Sequence, residues 1–216
     1  MKYLKILEFK SPLTLSLLIF IISAPICIRA QSSTPHFDHL KTQFENDRVY
    51  SAAFTHEYND TFTGEQQITK GSIWVGKDGY KMQSGNNLMV VDGEISRVYD
   101  HTKNRVIISD YIEEDDDFAP SRMLQGVDEG FSVTENILEN GQTHILLNSD
   151  DPFSIFIAVS IYLDENRLPL RIEALDQVEN ELITRFEDGK FITEDSNTFE
   201  FDHPDDAEWI DLRHDI

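Results

Sequence analysis

The chain has 216 residues and carries 40 Asp and Glu against 18 Lys and Arg, which gives a formal net charge of -22. Such a charge repels the phosphate backbone of nucleic acids and anionic lipid headgroups, so the composition argues against both as partners. With 40% hydrophobic and 11% aromatic residues, the chain is too apolar to be disordered, and its length suits one domain. We expect a folded core beneath an acidic surface.

The first thirty residues have the pattern of a secretory signal peptide. Basic residues between Lys2 and Lys10 precede an apolar run at 13–22 that is too short to span a bilayer, and Ala30 suits a cleavage site. An uncleaved anchor is the alternative. We predict a signal peptide at 1–30 and a single domain at 31–216. The one cysteine, Cys27, lies in the signal, so the mature chain would contain neither a disulfide nor a catalytic thiol.

An amphipathic helix is predicted at the start of the mature chain. Pro35 suits the first turn of a helix, and the spacing of Phe37, Leu40 and Phe44 puts three apolar side chains on one face. From Val49 onward the apolar residues alternate with polar ones, which is the pattern of a half-buried strand.

Strands then follow one another with short turns between them. Asp92-Gly93 is a strong hairpin signal, and further turns are predicted at 101–104, 165–166 and 179–180. We count ten or eleven strands, and a meander of this length must curl to avoid a flat exposed edge. The pattern predicts a mostly β protein in which a curved antiparallel sheet carries a few helices against its concave face.

One acidic stretch interrupts the strands. Five acids at 113–117 run directly into a short apolar segment that we interpret as a second helix, with Phe118, Pro120, Met123 and Leu124. Negative charge stabilises a helix N-terminus, so a solvated loop followed by a core helix is one interpretation. A calcium site is another, although the loop lacks the spaced oxygen ligands and the glycine of a dedicated site.

Catalytic and metal-binding motifs are not evident. The seven histidines form no tight ligand pattern, and we find no nucleophile elbow, phosphate-binding loop or nucleotide fingerprint. We therefore predict no cofactor, no resident metal and no enzymatic activity. The alternative from a different class is an envelope hydrolase that uses acidic residues or calcium.

The order of these features resembles the LolA-type periplasmic carriers of outer-membrane lipoproteins. The resemblance covers most of the mature chain and includes "GSIWVGKDGYKMQ", "LMVVDGEISRVYD", the segment with "APSRML" and the closing "FEFDHPDDAEWIDLR". It implies a half-open antiparallel β-barrel with a helical lid over a hydrophobic cavity. Lys77 stands where many members have an arginine that latches the lid, and lysine lacks the five-donor fork of arginine.

The resemblance also implies a function and a site. The chain would be a periplasmic monomer that shelters lipoprotein acyl chains between an inner-membrane ABC transporter and the outer membrane, where a separate acceptor would be a further partner. A lipid- or glycolipid-binding sensor or carrier of the same fold is the alternative. The implied lid is Phe118, Pro120, Met123 and Leu124, and the implied cavity is lined by Phe54, Trp74, Tyr80, Met82, Met89, Tyr99, Ile108, Phe131, Ile155 and Ile157.

Overall fold

The computed structural model describes residues 33–112, 116, 124 and 130–213. These residues form one α-helix and twelve β-strands. In chain order they are α1 (Pro35–Glu45), β1 (Arg48–Asn59), β2 (Gln66–Val75), β3 (Gly79–Ser84), β4 (Asn87–Asp92), β5 (Ile95–Asp100), β6 (Arg105–Asp110), β7 (Ser132–Ile137), β8 (Thr143–Asn148), β9 (Phe156–Leu163), β10 (Pro169–Asp176), β11 (Glu181–Thr193) and β12 (Glu208–Asp211).

All twelve strands belong to a single open sheet. Their order is β12-β6-β5-β4-β3-β2-β1-β11-β10-β9-β8-β7, and every neighbouring pair is antiparallel except β12 and β6. The sheet does not close on itself, which is the arrangement of an incomplete barrel. The expected fold class is therefore confirmed. The sheet has one strand more than the upper end of our estimate, and the last strand is the short C-terminal β12.

Local turn chemistry explains why the strands end where they do. Gly93 has a φ of 67° between β4 and β5, as the Asp-Gly hairpin signal predicts, because glycine adopts this conformation without strain. Between β10 and β11 the carboxylate of Asp176 accepts hydrogen bonds from the backbone N–H groups of Val178 and Asn180. These turns keep sequence neighbours adjacent in the sheet across most of its width.

Helix α1 lies on one face of the sheet, which we call the inner face. Phe37, Leu40 and Phe44 are buried, as their spacing predicts, and the ring of Phe44 meets that of Phe191 in β11 at 5.5 Å. At its other end, the carboxylate of Glu135 in β7 accepts hydrogen bonds from the backbone N–H groups of His36 and Phe37. The helix therefore connects β11, next to the middle of the sheet, with the edge strand β7.

The opposite face, which we call the outer face, has a cover of its own on one half of the sheet. After β11 the chain crosses this half, and Phe201 and Ala207 pack on Leu88 and Tyr99. A side-chain carbon at Gly76 would lie 2.6 Å from the ring of Phe199, so a larger residue there would force this ring to shift. The C-terminal segment thus covers the outer face of β4 to β6.

Two predicted segments fall outside the described residues. They are the signal peptide at 1–30 and, apart from Leu124, the second helix around "APSRML". The boundaries of the mature domain stay a prediction. No helix among the described residues is both long enough and apolar enough to cross a membrane.

The contact between Glu135 and α1 gives a first prediction. Glu135→Ala removes the acceptor for two helix N-terminal N–H groups and a negative charge that favours this end of the helix. We expect the free energy of unfolding to fall by roughly 1–2 kcal/mol in urea titration. Glu139→Ala, at an exposed position just after the same strand, is the matched control. Equal unfolding midpoints for the two variants would contradict the capping role.

Candidate functional site

The candidate site is the inner face, where one apolar cluster runs across most of the sheet. Its buried members come from α1, from β1 to β4 and from β8 to β11. Many of them have almost no solvent exposure, among them Tyr50, Ile73, Val75, Tyr80, Ile145, Leu147, Val159, Ile161, Leu163 and Ile172. We call this set and the residues packed against it the inner-face cluster.

Six of the ten predicted cavity residues lie in or against this cluster. Phe54, Tyr80 and Met82 are buried members. The other three are only partly buried and pack against the cluster, namely Met89, Phe131 and Ile155. Ile157 in β9 is half-buried.

The remaining three predicted cavity residues lie on the outer face. Trp74 sits between the inward-facing Ile73 and Val75, so its side chain points the other way, and the Lys81 ammonium lies 5.6 Å from its ring. Tyr99 and Ile108 belong to the separate cluster under the C-terminal segment. The structure therefore does not bring these three together with Phe54 and Tyr80, and we leave them out of the site.

The predicted lid is described at one residue. Leu124 has no solvent exposure and is a member of the inner-face cluster, although it belongs to the connection between β6 and β7. Phe118, Pro120 and Met123 lie outside the described residues. Lys77, the candidate latch, is exposed in the turn between β2 and β3.

A different polar contact ties this connection to the inner face. The Tyr80 and Tyr111 hydroxyls both donate to the same carboxylate oxygen of Asp116, at 2.9 and 2.7 Å. Tyr80 is completely buried in the cluster, and Tyr111 packs against it. One of the five consecutive acids is thus an anchor and not simply a solvated charge. Sequence reasoning missed it because nothing distinguishes Asp116 from the acids beside it.

A second polar feature lies within the apolar inner face. His56 in β1 is buried, and its Nδ1 lies 2.8 Å from the Thr184 hydroxyl on the neighbouring β11. Burial lowers the pKa of His56 to about 4, against a smaller opposing effect of the Glu57 charge. The imidazole is therefore neutral near pH 7.

Among the described residues, no three His, Cys, Asp or Glu side chains come together in a way that could hold a metal ion. The chemistry of the inner face is that of apolar contact, with Asp116 and His56 as the polar groups described above.

Comparison with known proteins bears on the fold. No family model and no curated protein matches the chain. A solved structure of an uncharacterized conserved protein from Thermus thermophilus is 14% identical, with a TM-score of 0.52 over 84% of this chain and 99% of that one. At this identity the likeness shows a shared fold and nothing about activity.

Two further solved structures carry descriptive names. One is a LolA superfamily protein from Nitrosomonas europaea, with 7% identity and a TM-score of 0.45 over 80% of this chain and 99% of that one. Solved LolA superfamily structures are thus among the structural neighbours of this chain. Another neighbour is named as a putative outer membrane lipoprotein-sorting protein domain from Vibrio parahaemolyticus. It is 12% identical, with a TM-score of 0.43 over 77% of this chain and 95% of that one.

The Asp116 anchor gives a second prediction. Tyr80→Phe keeps the buried ring but removes one hydroxyl that donates to the carboxylate. Because hydrogen bonds to charged groups contribute more than neutral ones, we expect a loss of roughly 1.5–3 kcal/mol in unfolding free energy. In an Asp116→Ala background the same substitution should cost clearly less. Equal costs in both backgrounds, measured as a double-mutant cycle, would show that the two groups do not interact.

The burial of His56 gives a third prediction, which concerns how stability changes with pH. The direction of the change follows from the difference in proton uptake between the folded and unfolded chains. The unfolded chain takes up a proton near the ordinary pKa of 6.5, whereas the folded chain does so only near 4. Stability should therefore be lost as pH falls from about 6.5 to about 4, by at most roughly 3 kcal/mol. His56→Gln should flatten this part of the stability profile. The exposed His101→Gln is the control, and an unchanged slope in His56→Gln would be the contrary result.

Proposed function

We propose that this chain is a periplasmic carrier that shelters the acyl chains of lipoproteins against its inner face. One observation carries the proposal: the open sheet has a continuous apolar face, and part of its cover is Leu124 from a connecting segment. Leu124 belongs to none of the twelve strands, so its displacement would leave the strand pairing intact. A hydrocarbon chain that displaced Leu124 would meet an apolar surface already in place.

The energetics favour a cover of this kind. Burying a methylene is worth ~0.8 kcal/mol, so a fully sheltered sixteen-carbon chain would gain about 12 kcal/mol. Several such chains on one cargo would make release extremely slow if the whole gain were realised. Displacing Leu124, and breaking the contacts of Asp116 with Tyr80 and Tyr111, offsets part of it. The empty protein thereby keeps its apolar face covered, and the loaded protein remains able to release its cargo.

The finer assignments follow the sequence resemblance to LolA-type carriers. The cargo would be received from an inner-membrane lipoprotein-releasing ABC transporter and delivered to the outer membrane, with the signal peptide at 1–30 directing export. The residues proposed to contact the acyl chains are the inner-face members of the predicted set, namely Phe54, Tyr80, Met82, Met89, Phe131 and Ile155. Methionine is well suited to this surface because its flexible side chain adapts to disordered tails.

Depletion of the protein in its native cell tests this role directly. If the proposal holds, lipoproteins destined for the outer membrane accumulate at the inner membrane, as measured by membrane fractionation. Met89→Glu, which places a charge on the half-buried inner face, should fail to restore sorting. Gln83→Glu, an exposed position in β3, should restore it. Thermal unfolding of both purified variants shows whether each is folded. Normal sorting after depletion would refute the carrier role.

The same fold could instead carry a glycolipid or sense a free lipid. Extraction of the purified protein with organic solvent, followed by mass spectrometry, separates these possibilities. Acylated lipoprotein fragments identify the proposed cargo, whereas a glycolipid as the bound species would assign the inner face to that alternative.

A further inference from the structure

Three loops at one end of the sheet each present a single exposed apolar side chain. They are the β1–β2 loop at 60–65, the β8–β9 loop at 149–155 and the β10–β11 turn at 176–180. At their tips, Phe62 is 97% exposed, Phe153 is 92% exposed and Val178 is 70% exposed. Large apolar side chains this exposed have no role in the core, so three at one rim need an explanation.

The same turn builds each of the three tips. In each loop an aspartate accepts a hydrogen bond from the backbone N–H group two residues later, at 2.9 Å. The pairs are Asp60 with Phe62, Asp151 with Phe153, and Asp176 with Val178. An aspartate turn of this kind fixes the local backbone, so the apolar residue is held at the tip.

The three loops are also tied to one another. The backbone N–H of Thr61 donates to the Asn180 side chain at 3.2 Å, which links the first loop to the third. The Gln177 amide donates to the backbone carbonyl of Ser154 at 2.8 Å, which links the third loop to the second. The tips thus belong to one hydrogen-bonded rim and not to three independent loops.

Strand order sets the spacing of the tips along this rim. In the order β2-β1-β11-β10-β9-β8, successive loops are two strands apart, which is about 10 Å at ~4.8 Å per strand. The row of tips is therefore about 19 Å long. An α-helix of fifteen residues is about 22 Å long and would span all three.

The charge around the tips selects the kind of partner. The three loops contain no Lys or Arg, and their acids are Asp60, Glu65, Asp150, Asp151, Asp176 and Glu179. The negative charge of such a rim repels anionic lipid headgroups. Protein interfaces commonly place apolar side chains at the centre and charged residues at the rim, as these loops do. Because the surrounding charges are negative, the complementary partner is basic.

We propose that Phe62, Val178 and Phe153 form a docking row for a basic amphipathic helix of a partner protein. The helix would place its apolar side on the tips and its Lys or Arg side chains beside the loop acids. Phe131, Ile155 and Tyr58, which are only partly buried members of the inner-face cluster, lie at the same end of the strands. If the proposed carrier function holds, a partner docked here would stand next to the inner face.

The test uses a defined probe. It is a dye-labelled sixteen-residue peptide of Leu and Lys with all Leu on one helical face, and a scrambled peptide of identical composition serves as its control. Binding to the mature protein is measured by fluorescence anisotropy at physiological salt. We expect the amphipathic peptide to bind at least ~10-fold more tightly than the scrambled one.

The variants locate that difference. Phe62→Ser, Phe153→Ser and Val178→Ser combined should weaken binding of the amphipathic peptide by ~10-fold or more, while the scrambled peptide is unaffected. The matched control combines Ile68→Ser, Ile137→Ser and Leu212→Ser, which are exposed apolar residues outside the three loops. It should bind both peptides like the wild type.

Two results would overturn the proposal. One is wild-type peptide binding by the triple tip variant. The other is tip-dependent binding of the wild type to neutral phosphatidylcholine vesicles, which would assign the row to a membrane. Acyl-chain binding by the tip variant separates this proposal from the carrier function. If the tip variant binds lipid but not the peptide, the docking row is supported. If the wild type does not bind lipid at all, only the carrier function is contradicted.

Discussion

An open sheet of twelve strands has two faces, and each apolar face has to be kept from water. Side chains alternate along every strand, so each apolar residue is committed to one face or the other. The two faces are covered by different means. On the outer face of β4 to β6, the C-terminal segment supplies Phe201 and Ala207. On the inner face, the cover comes from α1 and from Leu124 in the β6–β7 connection.

This difference in cover supports the proposed role of the inner face as a ligand-binding surface. The C-terminal segment ends in β12, which pairs with β6 and extends the sheet, so moving it would break strand pairing. Leu124 makes no strand pairing of its own, and the described contacts of its connection with the inner face are the burial of Leu124 and the two hydroxyls on Asp116. Among the described residues, these polar and apolar contacts join the connection to the inner face. In the proposed carrier role, an acyl chain would replace them while the strands beneath keep their register.

Much of this architecture could be predicted from the sequence because its causes are local. The stripe of Phe37, Leu40 and Phe44 predicts α1, and Asp-Gly or Asn-containing turns separate strands that pair with their neighbours. The face on which a side chain lies was harder to predict. In "SIWV" three apolar residues follow one another, so alternation does not reveal that Ile73 and Val75 face inward while Trp74 faces outward.

Contacts between distant parts of the chain could not be predicted at all. Glu135 accepts hydrogen bonds from a helix about a hundred residues earlier, and Asp116 meets Tyr80 across 36 positions. Both acids look like surface charges in a chain that carries forty of them. The role proposed for the exposed Phe62 and Phe153 could not be predicted either, because it depends on a rim that exists only once β1 and β8 to β11 have paired.

The most direct test of the inner face is to record which side chains an acyl chain touches. Palmitate with a diazirine near its methyl end, bound to the mature protein and irradiated, attaches covalently to its neighbours, and peptide mass spectrometry locates the adducts. We expect adducts at inward positions such as Met82 and Met89, and we expect excess unlabelled palmitate to remove them. Adducts confined to outward positions such as Trp74, or adducts that unlabelled palmitate does not remove, would contradict it.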